Sequence, residues 1–384
     1  MNLTVSAPAA DRRAAASPRP RLLVAPISIT PTKPLLPTHV KGMLWVDLLC
    51  KASREVAEVT CIWNSRTPNL AGQTVQFWAY LDREYGGHDY AALDDLDIGR
   101  LYVEFHGVET RFDPTALRDY TERVERTGWV HPASARMLDL WSAQLRTLGV
   151  ADPGLHADRP HPCTAQDVVD RLRADKLCLD QRAVGGPVYL DGTRWGVPLR
   201  PVIGADGHAN YLLTALRDIL PVVADHDHVL LVHDEEIAQD FVLVEKILAH
   251  YGVRTSRLAL GRVPLGGVVQ SSRAGGWDGA SLGEISRTAL AQFTIEEYRL
   301  GMRVYYGAML GRAAGESFDQ RLLYRAMVRA RKLLSAPERP ARAGDAGTFV
   351  RRHLTRSAWV DPYRLSAAVI SRPVPRDVLT ELFL

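Results

Sequence analysis

Cysteine is scarce in this chain: its 384 residues include four, at positions 50, 61, 163 and 178, and no two of them form a C-x-x-C pair. That spacing excludes a zinc ribbon or a disulfide-stapled scaffold and fits a reducing compartment, so a cytoplasmic location is expected. No run of about 18 apolar residues occurs, which excludes a spanning helix; no membrane partner is expected. The opening MNLTVSAPAADRRAAASPRPR has no apolar stretch and does not read as a secretory signal. A charge excess is also missing. The 47 Lys and Arg stand against 44 Asp and Glu, a net of +3, so bulk charge announces no nucleic-acid partner, and no DNA is expected. Asp225-His226-Asp227-His228 and His233-Asp234-Glu235-Glu236 fall at opposite ends of one expected strand. Neither has a recognised ligand spacing, so no metal is expected.

What is present suffices for a sizeable core, since 46% of the residues are hydrophobic. Residues 1–20, rich in Ala, Pro and Arg, read as a disordered leader. The continuous apolar run Leu22-Leu23-Val24-Ala25 reads as a strand buried on both faces, as in a parallel sheet. A helix from Thr38 and a strand over EVAEVTCIW complete a first crossover. Far downstream, a helix at Tyr211–Leu220, the strand DHVLLVHDE, a helix ending at Gly252 and the strand SRLALGRV repeat the pattern. The expected fold is therefore α/β and Rossmann-like, with a catalytic domain over 21–290. An insertion occupies about 75–195 and contains two helices. A helical, basic region covers 291–384, broken at SAPERPARAGDAG. In such sheets the ligand crevice lies at the carboxyl ends of the strands, so the loops after Ile27 and Trp63 and the segments near Val232 and Val269 should converge.

The loop S-I-T-P-T-K-P-L-L-P-T-H-V-K-G-M-L (Ser28–Leu44) resembles the first signature of class I aminoacyl-tRNA synthetases, and specifically that of arginyl-tRNA synthetase. Asn69–Gln73, Ala205–Tyr211, DHVLLVHDEE and Val263–Gly276 resemble further family motifs in the same order. The resemblance spans about 21–335 and implies a class I catalytic domain with an inserted subdomain and a helical tail. It also implies substrate contacts at Thr30, Asn69, Gln73 and Tyr211. The departures carry as much information. The first signature histidine is replaced by Leu36 and the following glycine by Thr38, while His39 is kept. The two lysines of the second signature align with Val269 and Ala274, leaving Arg273. Each preorganised donor is commonly worth about 3–4 kcal/mol, so the loss of several should cripple adenylation. The acidic residue that should hold a guanidinium aligns with Ala215, so Asp218, one turn on, or Glu235 and Glu236 would have to supply the carboxylate.

A fold of this kind without ATP chemistry resembles the cyclodipeptide synthases, which take activated aminoacyl groups from charged tRNA. By that resemblance Ser28 is the expected acyl acceptor, assisted by His39, with Tyr211, Asn69, Asp218 and Glu236 binding the amino acid. The ester of the charged tRNA, arginyl-tRNA by inheritance, supplies the drive, and no cofactor is required. Two alternatives stay open: an ATP- and Mg-dependent ligase or divergent arginyl-tRNA synthetase, and a non-catalytic tRNA or amino-acid binder. Between Arg321 and Arg356 ten basic residues face two acidic ones, a local net of +8. Arg321, Arg325, Arg329 and Lys332 recur at helical spacing, as suits tRNA phosphates. Ordinary roles are open to all of these: a loop hydrogen bond for Ser28, a cap for His39, an Asx turn for Asn69, core packing for Tyr211, and a solvated helix face for the basic stripe.

Overall fold

A computed structural model describes residues 19–26, 28–108, 112–269, 271–313, 315–336, 345–371 and 374–384. Most of the expected leader, Ile27, and Arg339 and Arg342 of the basic segment lie outside the described residues. The main sheet has four parallel strands: β1 (Arg21–Pro26), β2 (Glu58–Cys61), β6 (His228–Asp234) and β7 (Arg254–Leu260), in the order β2-β1-β6-β7. Strand β1 therefore pairs on both edges, Leu22 with Val59 on one side and with His228 on the other. The strand order reverses at β1, so the crevice opens beyond its carboxyl end.

The continuous apolar run of β1 divides between two faces, as the twofold period of a strand requires. Leu22 and Val24 join Leu230, Val232, Leu258 and Leu260 against Trp45 and Leu49 of the helix Pro37–Ser53. Leu23 and Ala25 face the other way, with Val229 and Leu231, against the helices Tyr211–Ile219 and Ala238–His250. The Pro37–Ser53 helix also buries Val40, Met43, Leu44 and Leu48 in the largest core, shared with helices Pro132–Leu148, Ile295–Val304 and Gln320–Leu334. Proline at its first position removes an amide that would have had no partner within the helix. The buried Lys41 donates to the carbonyls of Gly261 at 2.8 Å, Arg312 at 3.1 Å and Ala313 at 3.3 Å, fixing the chain just beyond β7.

The structure departs from the sequence reading in three places. Strand β2 is shorter than EVAEVTCIW, because Val56 and Ala57 still bond back to the Ser53 carbonyl. The region 75–195 holds three long helices beyond the expected pair: Gly72–Tyr85, Asp95–Gly107 and Pro114–Thr127 precede it. A small antiparallel sheet of β3 (Cys178–Asp180), β4 (Val188–Leu190) and β5 (Arg200–Ile203) follows them. These strands are three or four residues long, too short for an alternating pattern to stand out. No described helix is long and apolar enough to cross a membrane.

Candidate active site

A cleft of about 510 Å³ opens at the carboxyl edge of the sheet. Ser28 follows β1, Trp63 follows β2, His233 and Asp234 end β6, and Arg262 follows β7; all of them line it. Val269 does not line the cleft and is 41% exposed; Ser271, Ser272 and Arg273 just after it do.

Thr30 organises one wall. Its Oγ1 accepts from Lys33 Nζ at 3.0 Å and from Gln73 Nε2 at 3.0 Å, while Gln73 Oε1 accepts from Arg273 at 3.2 Å. Both lone pairs of the Thr30 hydroxyl are then in use, so its proton points to Thr32 Oγ1, 3.3 Å away. Burial, then the Arg273 and Arg262 charges, lowers Lys33 to about 8. Among the described residues neither Lys33 nor Arg273 forms an ion pair, and Arg262 meets only the half-exposed Glu236 at 3.2 Å. The cleft lining holds Lys33, Arg54, Arg159, Arg262 and Arg273 against Asp47, Asp152 and Asp234, a modest cationic excess that favours an anion.

His39 sits at the third position of its helix, where Nδ1 accepts from the Leu36 amide at 3.1 Å. That bond leaves the proton of the neutral ring on Nε2. Burial, helped by Lys33 and Arg262 and opposed only by the Pro34 carbonyl, lowers the imidazole to about 3. At neutral pH His39 is therefore a hydrogen-bond donor, and a general-base role does not suit it. Leu36 is buried and lines no part of the cleft. Thr38 Oγ1 accepts from the Val263 amide at 3.0 Å, tying the segment after β7 to the helix start.

Beside the cleft lies a narrow side pocket of about 50 Å³, lined by Ser28, Asn64, Thr67, Tyr211, Ala215 and Asp218, among others. Ser28 belongs to both spaces. Asp218 is almost fully buried and accepts from Asn64 Nδ2 at 2.8 Å and Thr67 Oγ1 at 3.2 Å, with His161 Nδ1 at 3.0 Å. The Tyr211 hydroxyl donates to Asp240, and burial together with that carboxylate raises its pKa.

The cleft thus gathers Ser28, Thr30, His39 and Gln73, and the side pocket gathers Ser28, Tyr211 and Asp218. Two expected residues fall outside both. Asn69 closes the short helix Arg66–Asn69, where its Nδ2 donates to the Ser65 carbonyl at 3.0 Å and its buried Oδ1 has no partner among the described residues. Glu236 instead pairs with Arg262. Arg321, Arg325, Arg329 and Lys332 are all exposed on the helix Gln320–Leu334, although Arg329 is engaged by the Ile370 carbonyl at 2.5 Å. Sequence reasoning missed Lys33, Arg262, Asn64 and His161. Lys33 was visible in the quoted signature and Arg262 in the rule that sites follow strand ends; nothing local marks His161, which arrives from the insertion. Among the described residues no cluster of three or more His, Cys, Asp or Glu is placed to hold a metal.

No known protein family's profile matches the sequence, and no curated protein sequence matches it. Solved structures do resemble it. The arginyl-tRNA synthetase of Thermus thermophilus superposes with a TM-score of 0.62 at 16% identity, covering 95% of this chain and 74% of that one. The arginyl-tRNA synthetase of Plasmodium falciparum gives 0.54 at 11% identity, covering 88% and 63%. The chain has the class I aminoacyl-tRNA synthetase-like fold.

Proposed function

We propose that the protein takes an aminoacyl group from the 3′ end of charged tRNA and joins it to a second amino acid, releasing a cyclic dipeptide. The observation that carries this reading is the place of Ser28, in the wall common to a cationic cleft and a narrow side pocket. The Ser28 hydroxyl attacks the ester carbonyl, and the terminal ribose oxygen of the tRNA leaves with the proton. The amine of a second charged tRNA then attacks the serine ester, freeing Ser28. Finally the dipeptide's own amine displaces that tRNA and closes the ring. The Nε2–H of His39 stabilises charge on a carbonyl oxygen, and Lys33, Arg262 and Arg273 hold terminal phosphates. Asp218 and Tyr211 mark the side-chain pocket, and inheritance makes arginyl-tRNA the first donor to try.

The same three cations favour a second reading, ATP-dependent activation of an amino acid, with the triphosphate as substrate. Purified precharged tRNA without ATP separates the two. Under the first reading a diketopiperazine appears by mass spectrometry, and Ser28→Ala lowers its yield by roughly a thousandfold while tRNA binding persists. Amino-acid-dependent ATP–pyrophosphate exchange with no product from precharged tRNA would establish the second. Binding of tRNA with neither activity would leave the non-catalytic alternative.

A further inference from the structure

We propose that Gln73 is a positioning residue: its amide latches Arg273 to Thr30, so that the cleft offers Lys33 and Arg273 to one phosphate group at a preset spacing. The inference rests on the reading of the cleft as a phosphate site and holds whichever of the two activities above uses it. Gln73 is the second residue of the helix Gly72–Tyr85, and it reaches Thr30 and Arg273 from 43 and 200 residues away in sequence. All three residues line the cleft.

The two bonds fix which way the amide faces. Nε2 donates to Thr30 Oγ1 at 3.0 Å, which leaves Oε1 to accept from Arg273 at 3.2 Å. Turned over, the amide would set its N–H groups against a guanidinium that can only donate, so the flip is closed to it. Thr30 also accepts from Lys33 Nζ at 3.0 Å, which completes a chain Lys33–Thr30–Gln73–Arg273 with a cation at each end and neutral groups between. A carboxylate in place of this amide would grip the guanidinium harder but cancel its charge. The amide holds the guanidinium and leaves the charge for a ligand.

Arg273 needs such a hold. It is exposed, on the short turn Ser272–Ala274, whose start is set by the Ser271 hydroxyl accepting from the Arg273 amide at 3.3 Å. A free arginine on an exposed turn gives up its rotamer freedom when it meets a ligand. One that is already held does not, so the latch favours binding without touching the ligand itself. With both ends of its amide in use, Gln73 leaves the direct contact with a phosphate to Arg273 and Lys33.

The test titrates inorganic pyrophosphate into the full chain by calorimetry, in the wild type, Gln73→Met, Arg273→Met and the double variant. Methionine matches glutamine in length but makes neither bond. Gln73→Met should weaken pyrophosphate binding at least about threefold, and the same change made on top of Arg273→Met should cost less, because nothing is left to hold. A smaller loss in the first case, or an equal loss in both, would overturn the proposal. ATP and a CCA-ended oligonucleotide, titrated into the same proteins, tell the two sources of phosphate apart. Each ligand whose affinity falls in Gln73→Met is one the latch serves, and if neither falls the proposal fails. Thr30→Val cuts the link from its other side, with the same losses expected, and decides the matter if Gln73→Met does not fold. These are binding measurements, so absence of a diketopiperazine would count against the proposed activity and leave the latch standing.

Discussion

Lys33 is a side chain held in place against its own charge. It is 6% exposed, its hydrogen-bond partner is a neutral hydroxyl, and Arg262 and Arg273 stand near it. With the folded value near 8 and the unfolded value in the ordinary lysine range, the unfolded chain keeps its proton over that interval while the folded chain loses it. Stability attributable to this residue therefore rises with pH above about 8, and the full penalty stands below it. Lys33→Met should stabilise the protein at pH 7 by about 1–3 kcal/mol in urea unfolding, and the gap to wild type should close toward pH 10. The same change should weaken inorganic pyrophosphate binding in the cleft, as expected of a residue retained for function. Wild-type pyrophosphate affinity should itself fall as pH passes about 8. Ser28, Thr30 and His39 could be picked out because they lie in one contiguous signature, and Gln73 because it ends a second short motif; all four line the cleft. Asn69 lies outside it, its orientation set by a bond to the Ser65 carbonyl that spacing does not reveal. The neutral state of His39 was hidden for a related reason, since it depends on the Leu36 amide and on burial.

Among the elements, the Pro37–Ser53 helix bears on both the cleft and the helical region through Asp47. This buried carboxylate accepts from Arg303 at 2.7 Å and the Ala151 amide at 3.1 Å, pairs with Lys51 at 3.0 Å, and also lines the cleft. Arg303 is itself buried; its terminal nitrogens also reach the Leu148 and Gly149 carbonyls, while its Nε has no partner among the described residues. Asp47→Asn strands a buried guanidinium and should lower stability by about 3–5 kcal/mol, read from the urea midpoint. Combining it with Arg303→Met should recover part of that loss, a non-additivity that a double-mutant cycle would measure. Long-range pairs of this kind, 256 residues apart in sequence, leave no local mark. Strands β1 and β6 were readable because burial on both faces writes a nearly unbroken apolar run. The strands β3–β5 were not, being short and formed within an insertion whose composition is mixed.

Across the whole molecule, the net charge of +3 conceals a basic stretch in the helical region. Arg321, Arg325 and Lys332 lie exposed along one helix, and none forms an ion pair among the described residues. If these residues meet tRNA phosphates, affinity should fall steeply with salt, each neutralised phosphate adding roughly 0.7–0.9 to the logarithmic slope. Arg325→Glu with Lys332→Glu should weaken tRNA binding at least about tenfold and flatten that slope, measured by filter binding across a salt series. An unchanged slope would assign the stripe to solvent.

The position of β1, paired along both edges and covered on both faces, has a mechanical consequence. Its peptide hydrogens should be among the last to exchange with deuterium, well after those of the edge strand β2, because releasing them requires opening the sheet at its centre. Ser28 stands two residues past the end of that strand. The hydroxyl is thereby mounted close to the centre of the sheet, so its place in the cleft wall is fixed by the strand least free to move.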